Sequence, residues 1–597
     1  MKEENEIVEN EAGHRFDPVW LGSCVLVTAV ATVLRFIWLD LKPLHHDEGV
    51  NGWFLTNLMR DGVYHYDPAN YHGPTLYYIA LGFAKVFGLN TWSVRSSVAV
   101  WGVLTVVLAF FLRRYIGKIG SLFAALFIAL SPGMVFISRY FIHEIFFVFL
   151  SLGLVLSVLM FIEKRRAGPF AIGWLALILL VCFLPSTLNI SAVIADEKSN
   201  AIWVWRAIFF VVEAALVFFV IRMLLAWHDG RPVYFLLTAA CVSLLFATKE
   251  TAFITLGTMV LACLSVWIWL RIYGKRSVPS VDREIEDEGL TWKNFSEAFG
   301  SGGDRWLLIA ASAVVFVYIF ILFFSSFFTY AGGIKGAIDA YTIWTKTGSK
   351  DHTQNGMWAY LRWGMNIEGP VFLLSAMGAL FALAKVKHRF AMFTAFWAFG
   401  LFAAYTLIPY KTPWLALSFL LPMCIMAGYG INELVGSGDQ RARAAGVLLA
   451  IGASVVMSYQ TYQLNFLRYD DEAMPYVYAH TKREFLDMLA EIDKYADKSG
   501  KGKQAKIQIV SPDYWPMVWY MRDYPNAVFH GKVADADNAE MIVAKKGEQD
   551  SDVMRRYAAN YEYIGSYALR PGVDLVLLVR RDLAGDEGKE LYKIQQK

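Results

Sequence analysis

WLLIAASAVVFVYIFILFFSSFF, from Trp306 to Phe328, runs for 23 residues without a formal charge. A helix needs roughly 20 apolar residues to cross the hydrocarbon of a bilayer. This stretch therefore reads as a transmembrane helix, and similar runs lie on both sides of it. They start near Val19, Ser93, Gly120, Glu144, Pro169, Val204, Val233 and Thr251 before it, and near Pro370, Phe390, Trp414 and Ala444 after it. The sequence thus predicts about thirteen spans, the run from Val233 to Ala247 being the shortest. Composition agrees. The 597 residues are 56% hydrophobic and only 18% charged, whereas a soluble domain carries about 25% charge. The net charge of +3 and the scattered basic residues exclude a nucleic-acid partner. The cysteines at 24, 182, 241, 263 and 424 all lie in apolar runs, with no CxxC pair to suggest zinc or a disulfide framework.

Basic clusters orient these spans. Arg113, Arg114 and Lys118, then Lys164 to Arg166, then Lys385, Lys387, His388 and Arg389 fall on one side, as does the polar loop from Arg271 to Arg305. The positive-inside rule makes that side cytoplasmic. This holds if PTLYYIALGFAKVFG, Pro74 to Gly88, lies at the outer interface and does not cross. Residues 1–18 are then a cytoplasmic tail without a cleavable-signal pattern, and 19–464 the membrane domain. Residues 465–597 form a small extracytoplasmic α/β domain. There Glu484 to Tyr495 reads as a helix, and Lys506 to Val510, Glu540 to Ala544 and Asp574 to Val579 as strands.

The outer face gathers the polar chemistry. HHDEGVNGWF holds His45, His46, Asp47 and Glu48, and its loop continues through His65, Asp67 and His72 to Pro74. SRYFIHEIF brings Arg139, His143 and Glu144. ATKETAF adds Lys249 and Glu250, and YKTPWLAL adds Lys411. Carboxylates beside a membrane are costly unless solvated or paired. The bland reading makes Asp47, Glu48 and Glu144 helix-capping acids and the lysines snorkelling span ends. The functional reading makes a carboxylate the general base for an acceptor hydroxyl and the lysines partners of a phosphate. The His and acid types also suit a divalent metal, but no HxxxH-type spacing supports one, so metal dependence stays open. Arg206 and Glu213 share one apolar stretch and read as mutually neutralising.

An acidic pair after the first span, an outer loop ending in Gly73-Pro74, and a carboxylate at the start of the fourth span resemble the GT-C superfamily of membrane glycosyltransferases. In layout the chain is similar to the protein mannosyltransferase and lipid A aminoarabinose transferase branches. HHDEGVNGWF, ATKETAF, PYKTPW and RYDDEAMPYVYAHT look like the flippase-activity-associated family of archaea and some bacteria. The resemblance implies that a sugar, mannose-like or another hexose, passes from a polyprenyl phosphate to a protein, glycan or lipid acceptor on the extracytoplasmic face, with inversion. It implies Asp47 as base, Glu48 and Glu144 as catalytic companions, and His46, His72, Arg139, His143, Lys249, Glu250 and Lys411 as substrate-binding residues. The location would be the plasma or inner membrane. Three rivals remain: a translocase or accessory for lipid-linked sugars, a membrane metallohydrolase, and a non-catalytic scaffold.

Overall fold

The structure, a computed structural model, describes residues 17–585 apart from 71, 197–198, 275–284, 349–354 and 536–537. The N-terminal tail expected on the cytoplasmic side therefore lies almost wholly outside the described residues.

The first span, α1 (Pro18–Phe36), starts on Asp17, whose carboxylate accepts from Trp20 N at 3.0 Å. Two helices follow in the expected outer loop: α2 (His46–Asp61) and α3 (Thr75–Phe87). With 13 residues, α3 spans about 20 Å, too short for the roughly 30 Å of hydrocarbon. This fits the interfacial reading. The apolar helices α4 (Thr91–Phe110), α5 (Lys118–Leu130), α6 (Pro132–Ser138), α7 (Glu144–Ile162), α8 (Pro169–Ile194), α9 (Ala201–Ala226), α10 (Pro232–Thr248), α11 (Ala252–Tyr273) and α12 (Gly303–Phe324) come next. The polar helix α13 (Gly332–Gly348) separates them from α14 (Ala359–Ile367), α15 (Gly369–Lys385), α16 (Arg389–Leu407), α17 (Leu417–Val435) and α18 (Gln440–Tyr462).

Among the described residues ten helices are long and apolar enough to cross a membrane. Two bent pairs, α5 with α6 at 57° and α14 with α15 at 106°, raise the number to twelve. The thirteenth expected span is α10, which at 17 residues falls below that length. The chain is a multi-pass membrane protein with ten to twelve candidate spans among the described residues, against the thirteen expected. Of the intramembrane charges, Glu213 accepts from Thr187 Oγ1 of α8 at 2.7 Å, a hydrogen bond the sequence did not announce.

Both helix breaks have a physical cause. Ser131-Pro132 ends α5 because proline cannot donate into the preceding turn. Glu368, at the bend between α14 and α15, accepts from Ser131 Oγ and Gly133 N, both at 2.7 Å, and so caps the start of α6. Two helix C-termini are closed by arginines. Arg35 donates to Ile128 O at 2.9 Å and Ala129 O at 3.2 Å near the end of α5. Arg139 donates to Ile37 O at 2.6 Å and Trp38 O at 2.8 Å just past α1. Cations at helix C-termini satisfy orphan carbonyls and complement the macrodipole.

The C-terminal part is an α/β unit. Strands β1 (Ile507–Ile509), β2 (Ala527–Phe529), β3 (Met541–Lys545), β4 (Tyr561–Arg570) and β5 (Val573–Arg580) form one sheet in the order β2-β1-β3-β5-β4. Helix α19 (Glu484–Lys498) packs on one face and α20 (Asp550–Tyr557) on the other. The three expected strands correspond to β1, β3 and β5. The expectation missed β2, which has three residues, and β4, where shifts in register at Gly565 and Arg570 blur the alternation.

Candidate active site

The loop before α3 meets the end of α10 closely. Gly73 N donates to Thr248 O at 3.1 Å, and a Cβ on Gly73 would stand 1.9 Å from Ala247 O, so only glycine fits. This contact brings His72 to Glu250, with Nδ1 2.9 Å from Oε2. His143 donates through Nε2 to Gly73 O at 3.0 Å, which carries the start of α7 to the same place. Lys249 then meets the Glu144 carboxylate in a buried ion pair. Asp47, Glu144, Lys249 and Glu250, supplied by three loops distant in sequence, line one cavity of about 420 Å³.

The same contacts set the charges. Burial alone would raise the Glu250 carboxyl, but His72, its hydrogen bond and Lys249 bring it below the ordinary glutamate range. Burial, reinforced by His72 and Lys249, pushes the His143 imidazole well down, so it stays neutral. His45 is closed from two sides: Nε2 donates to Tyr478 O at 3.0 Å and Nδ1 accepts from Asp47 N at 3.0 Å. That pair of contacts requires the neutral tautomer with its proton on Nε2. It also turns the Asp47 carboxylate into the cavity, where it remains 39% exposed.

Glu48, one residue on, has the opposite fate. Its side chain is fully buried and accepts from Arg95 Nε at 2.8 Å and Nη2 at 2.7 Å, from His45 N at 2.9 Å and from Phe141 N at 2.8 Å. Burial would raise its carboxyl, but Arg95 holds it below the usual range. With four donors it has no lone pair left for chemistry, and it does not line the cavity. The expected catalytic role for Glu48 is thus corrected to a structural one: it closes the α2 capping box and ties α2 to α4.

Two expected substrate-binding residues are corrected as well. Arg139 is spent on the carbonyls after α1. Lys411 donates to Tyr405 O at 2.8 Å, to Thr406 O at 2.9 Å and to Ile408 O, closing the C-terminus of α16. Neither lines the cavity, although Thr412 and Trp414 beside Lys411 do. The remaining expected residues, His46, His72, His143, Lys249 and Glu250, line it together with Asp47 and Glu144. His65 and Asp67 lie elsewhere: the ring of His65 packs edge-on against Tyr330, and Asp67 accepts from Ala69 N. Among the described residues no group of three or more His, Cys, Asp and Glu is arranged to hold a metal ion.

Several lining residues escaped the sequence reading. Asn51 and Asn70 are tied through Tyr77, whose hydroxyl donates to Asn51 Oδ1 at 3.0 Å and accepts from Asn70 Nδ2 at 3.1 Å. Tyr405 and Trp344 come from spans and helices that read as plain apolar or surface sequence. Tyr478 and Ala479 sit inside RYDDEAMPYVYAHT, a stretch the sequence did single out, though no residue in it had been chosen. The chain around them docks on the first outer loop: Thr481 Oγ1 donates to Leu44 O at 2.7 Å and Leu44 N donates to Tyr520 OH at 2.9 Å.

Residues 48–189 match the family model described as Dolichyl-phosphate-mannose-protein mannosyltransferase. No curated protein matches in sequence. Among solved structures, ArnT from Cupriavidus metallidurans in the apo state is similar, with a TM-score of 0.55 at 14% identity, over 95% of this chain and 99% of that one. ArnT from the same organism bound to undecaprenyl phosphate gives 0.56 at 14% identity, over 94% and 99%. The Archaeoglobus fulgidus oligosaccharyltransferase in the apo form gives 0.49 at 13% identity, over 92% and 74%. At such identity the likeness is one of fold. The architecture expected from the motifs is in keeping with the fold this chain shares with ArnT.

Proposed function

We propose that this protein is a glycosyltransferase that moves a sugar from a polyprenyl phosphate to an acceptor on the extracytoplasmic face. The observation that carries the reading is the split between Asp47 and Glu48. Two adjacent carboxylates start one helix; one is locked by Arg95 and the other opens into the cavity. In support stand the family model over residues 48–189 and the fold shared with ArnT, which has been solved with undecaprenyl phosphate.

In this mechanism Asp47 takes the proton of the acceptor hydroxyl as that oxygen attacks the anomeric carbon. General bases of this kind contribute about 100- to 10,000-fold in rate. The bond to phosphate breaks on the opposite side, which inverts the centre, and the phosphate leaves as an anion. Lys249 is the cavity lysine that meets it, moving off Glu144 onto the leaving oxygen. His72, its Nδ1 donating to Glu250, lines the same cavity beside Lys249. The basic clusters at the opposite end of the bundle support placing the cavity outside the cytoplasm.

The test is direct. Purified protein incubated with polyprenyl-phosphate-linked hexoses and an extract of cell-envelope acceptors should release polyprenyl phosphate and label an acceptor. No release from any hexose donor would reject the reading, and donor flipping without release would replace it with translocation.

A further inference from the structure

The sheet of the C-terminal unit has a reversal in its order. From β1 the chain goes to β2 on one side and then to β3 on the other, and β1 pairs parallel with both. Alternate β3 residues serve the two faces: Met541 and Val543 pack with α19, Ile542 and Ala544 with α20. In open α/β sheets with helices on both faces, ligands bind outside the carboxyl ends of the strands where the order reverses. Here that place lies between the ends of β1 and β3.

The side chains at that place are not idle. Asp513, just past β1, accepts from Lys545 at the end of β3, at 2.9 Å, and from Arg570 at the end of β4. Lys545 also reaches Glu548 at 2.5 Å. Asp513, Lys545 and Arg570 each keep about a fifth to a quarter of their surface in water (25%, 22% and 19%). Tyr514 and Trp515 stand beside them, half-buried.

One residue links this cluster to the cavity. Arg570 Nη1 lies 3.4 Å from His46 Nδ1, and the Trp515 ring centre is 6.2 Å from that of His46. His46 lines the cavity beside Asp47. The approach is enforced by two glycines one turn apart on α2. A Cβ on Gly49 would stand 2.6 Å from Pro516, and one on Gly52 would stand 2.4 Å from the Trp519 ring.

We propose that the crevice walled by Asp513, Tyr514, Trp515, Lys545 and Arg570 is the acceptor subsite, and that it takes a neutral, hydroxyl-rich glycan. The inference rests on the transferase reading, for which it supplies the acceptor class. Two cations face two carboxylates, so the crevice carries no net field that favours an anion. Hydroxyls both donate and accept, and so can bridge Lys545 or Arg570 on one side and Asp513 or Glu548 on the other. The rings of Tyr514 and Trp515 offer an apolar face with a polar rim, which suits the mixed faces of a sugar ring. A peptide adding here as a strand would need an open sheet edge, but β1 and β3 are interior, flanked by β2 and β5. A glycan seated here presents its end past His46 to Asp47.

Saturation-transfer NMR on the full chain in lipid nanodiscs, with mannotriose as the probe, tests this. The wild type should saturate the trisaccharide signals, and Arg570→Gln or Lys545→Gln should weaken binding about tenfold or more, as expected for a lost charge-assisted hydrogen bond. Arg556→Gln, which removes a pair with Asp535 elsewhere on the unit, should change nothing. Absence of mannotriose binding by the wild type would overturn the proposal. So would unchanged binding in both crevice variants, or binding of a Ser/Thr-containing peptide in place of the sugar. Undecaprenyl phosphate binding, measured on the same sample, separates the two readings. Lipid bound without sugar rejects the subsite alone, and lipid not bound rejects the transferase.

Discussion

At the cavity end of the helical bundle the ion pairs that join elements are buried; at the other end several are exposed and loose, although Glu433, paired with Lys385 and His388, is buried there. At the cavity end Arg95 meets Glu48 with both side chains fully buried, and Lys249 meets Glu144 with both nearly so. At the opposite end Lys118 faces Asp17 at 3.3 Å and Lys164 faces Glu297 at 4.0 Å, all four side chains 41–49% exposed. Arg114 with Glu286 and His228 with Asp304 belong to the same exposed set. The same residue types therefore do different work. Exposed pairs contribute about 0–1 kcal/mol and serve mainly to mark a side of the membrane. Buried pairs fix geometry, and breaking one leaves an uncompensated charge. Asp47 is the carboxylate of α2 that the pairing at the cavity end leaves open to water.

The contrast can be broken most severely at Asp47. Asp47→Asn should lower turnover about 100- to 10,000-fold while donor affinity and melting temperature hold. Transfer rate measured against donor concentration would show it, and near-normal turnover would move the base elsewhere.

Glu48→Ala should act on the fold. Leaving Arg95 buried and unpaired should cost about 3–5 kcal/mol, read as a large fall in melting temperature in detergent. The pair also gives a pH signature. Because Arg95 holds the folded Glu48 carboxyl below its unfolded value of about 4.3, its stabilisation is complete well above that pH. It is lost as pH falls through the folded value. The wild type should therefore destabilise on acidification below about pH 4, and Glu48→Gln should flatten that slope.

Lys411→Ala sharpens the comparison from the other side. A lysine read from sequence as a phosphate partner is instead a cap on α16. Its loss should cost about 1 kcal/mol of stability, within the range for a cation at a helix C-terminus, and leave donor affinity unchanged. A clear rise in the donor KM would return Lys411 to the phosphate. The smallest effect belongs to Arg114→Ala at the basic end. It should stay within about 1 kcal/mol in melting experiments and leave transfer untouched.

These cases show where the sequence was legible. The apolar runs and the order of basic clusters announced the spans, because bilayer thickness imposes a length that can be counted. Asp47, His72, Glu144 and Lys249, which line the cavity, were picked out because polar residues stand out against apolar surroundings. The same signal also picked up Glu48, Arg139 and Lys411, whose polarity satisfies buried protein groups and not a substrate. Asn51, Tyr405 and Trp344 carried no contrast with their neighbours and went unnoticed.

What the sequence by itself determined is therefore the class: a chain with too many long apolar runs to be soluble, with one group of its acids and histidines gathered in the loops that line the cavity. Tertiary structure alone decided which of those groups are free to act. Asp47 and Glu48 are adjacent acids in the first turn of one helix, with nothing local to separate them. Their fates diverge because α2 enters with one side toward Arg95 on α4 and another toward the space beneath Tyr478. A buried carboxylate must be paired or neutralised, so the residue that meets the arginine becomes structure. Its neighbour, left facing water in the cavity, keeps the lone pairs that chemistry requires.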